Sequence, residues 1–140
     1  MAMAGFIHVK SSKFPILSGE KEELVNDGTY GKALAEYLRV KLMERGYSVP
    51  FGCCEDWGWW FELDDAPFAF GVCIYRGAEA DGPIDFVCTA GVTNQRSWSW
   101  RKFRFVDRAP WADKLHEALR TIFQADDDVE IAGTFEEFPL

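Results

Sequence analysis

Histidine is scarce in this 140-residue chain, cysteine lacks useful spacing and no long apolar run occurs, and each shortage excludes a class of function. The soft metal ligands are His8, His116, Cys53, Cys54, Cys73 and Cys88. A structural zinc site wants four ligands at C-x₂₋₄-C or H-x₃₋₅-H spacing. Cys53 and Cys54 are adjacent, so their side chains diverge in an extended chain, and neither histidine has a partner nearby in sequence. No metal or other cofactor is expected. The same cysteine pair reads as part of a loop beside Glu55 and Asp56, whose negative charges raise a thiol pKa and argue against thiol catalysis. Phosphate-loop, dinucleotide and nucleophile-elbow motifs are missing. No catalytic residue is assigned, and a non-enzymatic role is expected. With no run of about 18 apolar residues there is no membrane-spanning helix to expect. The opening "MAMAGFIHVKSSKF" has no apolar core followed by a cleavage site, which predicts no secretion signal and a cytoplasmic protein with reduced thiols.

Basic residues are also in deficit: 15 against 23 acids, a net charge of −8. A field of that sign repels nucleic acid and anionic membranes and favours a basic partner. The one locally basic stretch is "RSWSWRKFRFVDR" (96–108), where arginines alternate with aromatics. That is the chemistry of a single-strand nucleic-acid platform. The net charge argues against it, and Lys and Arg on an edge strand serve to discourage edge pairing.

What is abundant is aromatic and apolar: 16% and 48% of residues. The length predicts a single domain, residues 1–140, with an ordinary buried core. Residues 1–28 read as an irregular N-terminal arm, whose part from 11 to 28 is pinned by Phe14, Ile16, Leu17, Leu24 and Val25. In "TYGKALAEYLRVKLMERGYSV", Leu34, Tyr37, Leu38 and Leu42 recur at helical spacing. A helix over about 29–45 is expected, capped by Asp27 or Thr29 and ended by Gly46. A second helix over about 110–124 opens on Pro110 and carries the stripe Trp111, Leu115, Leu119, Ile122 and Phe123.

Between the helices the period drops to two. Trp57, Trp59, Phe61 and Leu63 share one parity, as do Phe68, Phe70, Val72 and Ile74, and then Ile84, Phe86, Cys88 and Ala90. Residues 98–106 read as a further strand, either with a bulge near Arg101 and Lys102 or wet on neither face, because Trp98 and Trp100 are even while Phe103 and Phe105 are odd. A short strand is expected at 129–132. The fold class is therefore α+β: a two-layer sandwich with a mainly antiparallel sheet of about four to six strands and both helices on one face.

Parity then separates Trp57, Trp59 and Phe61, read as core, from Trp60, which shares its side with Glu62 and Asp64. Tyr75 falls on the comparable side of the next strand. Either residues 11–28 cover Trp60, or Trp60, Glu62, Asp64, Tyr75 and Arg101 belong to a binding surface. Two readings follow. The first is a cytosolic interaction domain, inhibitor-like or immunity-like, that takes a basic protein partner on that surface. The second is a small-molecule-binding protein or small enzyme with a pocket between sheet and arm.

The elements "FPILSGE", "YGKALAEYL", "ERGY" and "EDWGWWFEL", together with "RAPWADKL", resemble small uncharacterised bacterial proteins over about residues 14–64 and the start of the second helix. That resemblance implies no activity and carries over no site residue.

Overall fold

The computed structural model describes residues 5–26, 28–64, 71–77, 83–90, 96–99, 104–107, 109–136 and 139. In chain order the elements are β1 (Phe6–Ser11), a 3₁₀ turn (Glu20–Glu23), α1 (Lys32–Glu44), β2 (Phe51–Glu55), β3 (Gly58–Glu62), β4 (Gly71–Arg76), β5 (Ile84–Ala90), β6 (Arg96–Ser99), β7 (Arg104–Asp107), α2 (Ala109–Gln124) and β8 (Glu130–Phe135). Six strands form one sheet in the order β2-β3-β4-β5-β1-β8, antiparallel throughout. The class is α+β. Among the described residues, no helix is long and apolar enough to cross a membrane.

Alternation decides which side of each strand is buried. Ile7, Val9, Trp59, Phe61, Val72, Ile74, Phe86, Cys88 and Ala90 form one apolar cluster with Leu34, Leu38 and Leu42 of α1 and Leu115, Leu119 and Phe123 of α2. α1 contacts β3 and α2, and α2 contacts β5 and β8. The expected parity of β3, β4 and β5 is the observed one.

Four sequence expectations need correction. The arm is not irregular from its start: Phe6–Ser11 is an interior strand between β5 and β8. Its residues alternate, with Ile7, Val9 and Ser11 buried and Lys10 exposed. Cys53 and Cys54 sit in strand β2, not in a loop, because Asp56 and Trp57 turn the chain back and pair Phe51–Glu55 with β3. The described parts of the stretch read as one strand at 98–106 belong to two, β6 and β7, paired as a separate ladder with Trp98 opposite Phe105, and the bulge expected at Arg101 and Lys102 lies outside the described residues. Antiparallel pairing sets an even residue of β6 against an odd one of β7. The last strand is longer than 129–132, running Glu130–Phe135.

The cap of α1 differs too. Thr29 donates its hydroxyl to the Asn26 carbonyl, and Asp27 lies outside the described residues. Glu20, 1% exposed, supplies the cap: its Oε2 accepts from the Gly31 and Lys32 amides at 2.8 and 3.1 Å, and its Oε1 from the Leu17 amide at 3.0 Å. A carboxylate at a helix N-terminus meets unpaired N–H groups and the positive end of the dipole. At the other end, Gly46 (φ 95°) takes the left-handed conformation that lets Gly46 N–H reach the Met43 carbonyl and Tyr47 N–H the Leu42 carbonyl.

Candidate functional site

On the sheet face away from that cluster, β2, β3 and β4 present one cross-strand row: Cys53 opposite Trp60, and Trp60 opposite Cys73. The row continues through Thr89 to Phe6. The Trp60 indole lies over β4, because a Cβ on Gly71 would stand 2.8 Å from its Cη2 and 2.1 Å from the Phe61 carbonyl oxygen. Only glycine leaves that ring its resting place.

The neighbouring row brings Tyr75 beside Val87 and Val87 beside His8. Trp57, at the turn between β2 and β3, sets its ring 5.0 Å from Tyr75 at an interplanar angle of 38° and remains 37% exposed. Trp57 is thus not core, contrary to its parity with Trp59 and Phe61. A two-residue turn breaks the alternation just before β3. The adjacent pair Asp56–Trp57 followed by Gly58 is the signal that could have found it.

Of the expected surface residues, Trp60, Glu62 and Tyr75 share this face. Asp64 is exposed just beyond β3, its amide bonded to the Ser48 carbonyl. Arg101 lies outside the described residues. Glu55 and Asp56 add two carboxylates at the β2–β3 turn. Among the described residues, the Glu62 and Asp64 carboxylates have no hydrogen-bond or ion-pair partner. The base of β4 turns the other way: the Arg76 guanidinium lies 5.6 Å from the Tyr30 ring and 5.9 Å from that of the core residue Phe86.

Thiol chemistry is weak here. Burial pushes the Cys73 thiol up to about 11 and the Tyr75 hydroxyl, bonded to Cys73, up to about 12. The Cys53 thiol is also raised, by burial first and then by its bond and charge interaction with Glu55. At neutral pH these groups stay protonated, so the face holds no thiolate nucleophile.

Further along the same face His8 has the partner its sequence did not reveal: its Nε2 stands 2.7 Å from Asp85 Oδ1, with Lys10 Nζ 4.0 Å from the same oxygen. Val87, 0% exposed, separates this polar pair from Tyr75. The ionisable and aromatic groups therefore do not converge on one point. No metal-holding cluster of His, Cys, Asp and Glu occurs among the described residues.

The arm is anchored elsewhere. Phe14 packs in the core against Tyr37 and Phe86, at centroid distances of 5.1 and 6.1 Å. Asn26 donates its side-chain amide to the Asp56 carbonyl at the β2–β3 turn. A cavity of about 540 Å³ does border the arm at Lys13, but it is lined by α1 and the α2–β8 turn and contains none of the expected site residues. Two of its charges, Lys13 and Asp126, are engaged with each other. Asp126 binds Lys13, accepts from the Tyr37 hydroxyl at 2.6 Å and from the Asp128 amide at 2.9 Å, and is held down to about 2 by the first two contacts. This cleft is a clasp between arm, α1 and turn.

No protein-family model matches the chain, and neither does any curated protein or solved structure.

Proposed function

We propose that this chain is a non-enzymatic binding domain of the cytosol, inhibitor-like or immunity-like, that takes a basic protein partner on the sheet face opposite its helices. The fold is then a two-layer sandwich in which α1 and α2 roof one side of the sheet and leave the β2–β4 part of the other to the partner. The observation that carries this reading is one arrangement: Trp57, Trp60 and Tyr75 on a surface edged by Glu55, Asp56, Glu62 and Asp64, with no base of β3 facing them. Arginine and lysine stack on tryptophan faces and pair with carboxylates, so this combination selects cations over anions. The net charge of −8 steers a basic partner from a distance. Free cysteines at all four positions suit a reducing compartment.

Affinity capture at low salt tests the reading. The parent chain is expected to retain a basic protein that is released by salt. A Trp57→Ser/Tyr75→Ser variant and a Glu55→Gln/Glu62→Gln variant, both still folded by circular dichroism, are expected to lose it. Identical captured proteins from all three would sink the proposal.

A further inference from the structure

The two edges of the sheet differ in how well they are closed. An edge strand presents unpaired main-chain N–H and C=O groups, and proteins blunt such edges with charges, bulges or cover. At the β8 edge the register shifts between His8 and Val9, opposite Gly133 and Ile131, and Glu130 opens the strand while Glu136 follows it. β2 keeps unbroken register with β3 from Phe51 to Glu55 and carries one charge, at its end. Among the described residues nothing pairs with its outer side, and Gly52 there is exposed.

Between this edge and α1 lies a cavity of about 150 Å³, lined by Ala35, Arg39, Pro50, Gly52, Trp59 and Phe61 among others. Trp59 is 5% exposed, and its indole Nε1 is buried without a hydrogen-bond partner among the described residues. A helix and an edge strand flanking a groove capture extended peptides in a general way: the main chain extends the sheet and alternate side chains enter the groove.

We infer that β2 takes an extended basic segment of the partner as a seventh strand. Its lysines or arginines lie on the side of Cys53 and Glu55 and reach across them to Trp60 and Glu62. The side chains between them are short, as threonine is, and enter the cavity beside Gly52. The added strand sits about 4.8 Å outside β2, close enough for a long basic side chain to cover the Cys53–Trp60 row. This inference rests on the basic-partner reading above and names where the partner's main chain sits.

The test uses the whole protein and a fluorescent peptide of alternating lysine and threonine at low salt. Binding is expected, and an alternating glutamate–threonine peptide should bind at least about tenfold more weakly. Amides on alternate residues of a strand point to opposite edges. N-methylating one alternate set should therefore weaken binding at least about tenfold while methylating the other leaves it intact. Glu55→Lys should weaken it about fivefold. By NMR, the β2 amides should gain exchange protection. Equal binding of both methylated peptides, with shifts confined to Trp57 and Tyr75, would overturn the edge inference and leave the surface reading standing. No preference for the lysine peptide over the glutamate peptide would overturn both.

Discussion

Trp59 and Trp60 are neighbours in the chain and belong to different environments. Trp59 is 5% exposed and packs with α1, close enough that a Cβ on Gly31 would stand 3.1 Å from its Cδ1. Trp60 is half-buried over Gly71, in a row with two thiols. Carboxylates divide the same way. On the helix-bearing side, Glu20 and Asp126 each accept several internal bonds, whereas Glu62 and Asp64 accept none among the described residues. The two tryptophans and the two pairs of carboxylates therefore differ in how far the fold uses them, and substitutions at them should have different consequences.

The largest effect expected is Trp59→Ala, which should destabilise the chain by about 3–5 kcal/mol, as core aromatic truncations do. Trp60→Ala should cost about 1–2 kcal/mol, because a partly exposed ring loses less burial. Urea unfolding of both variants measures the difference. Equal losses would mean that the Trp60 face is core and would remove the surface on which a partner is proposed.

The division was only partly legible. Both helices announce themselves by a 3.6-residue stripe, and Gly46 marks the end of α1, because those signals are local. Parity alone placed Trp60 opposite Trp59, since a pleated strand must alternate. β1 was lost for a different reason. "FIHVKS" alternates well, but its partners lie far along the chain, as the 77-residue separation of His8 and Asp85 illustrates. Nothing local distinguishes an interior strand from an amphipathic arm. β2 has no alternation to read. Pro50 and Gly52 look like loop residues, and pairing with β3 makes "FGCCE" a strand. Trp57 was misplaced because counting by twos runs straight through a turn. Trp59's unpaired indole nitrogen and the cavity beside Gly52 depend on how α1 lies over β3, which no residue count encodes.

Glu20→Ala comes next in size. It leaves the Leu17, Gly31 and Lys32 amides without their acceptor in a buried place, and a loss of about 1–3 kcal/mol is expected. Glu20→Gln keeps an acceptor for some of these amides and should lose less. Glu62→Ala, on the opposite face, should stay within about 0.5 kcal/mol of the parent. Thermal melts at neutral pH rank the three. A Glu62 variant as damaging as the Glu20 variant would contradict the division of carboxylates.

The smallest effect is a pH dependence. Lys13 and the Tyr37 hydroxyl bonded to Asp126 hold its carboxyl at about 2, below the ordinary 3.8. A carboxyl whose pKa is lower in the folded state than in the unfolded chain binds fewer protons there, so stability rises with pH across the interval between the two values. The Asp126 contribution is therefore complete above the unfolded value and is lost as pH falls through the folded one. Urea midpoints measured from pH 4.5 down to about 2 should drop less steeply for Asp126→Asn than for the parent. Glu62→Gln should leave the parent's slope unchanged, because the Glu62 side chain makes no hydrogen bond or ion pair among the described residues. If the Glu62 variant flattened the slope and the Asp126 variant did not, the two sides of the sheet would have to exchange their roles.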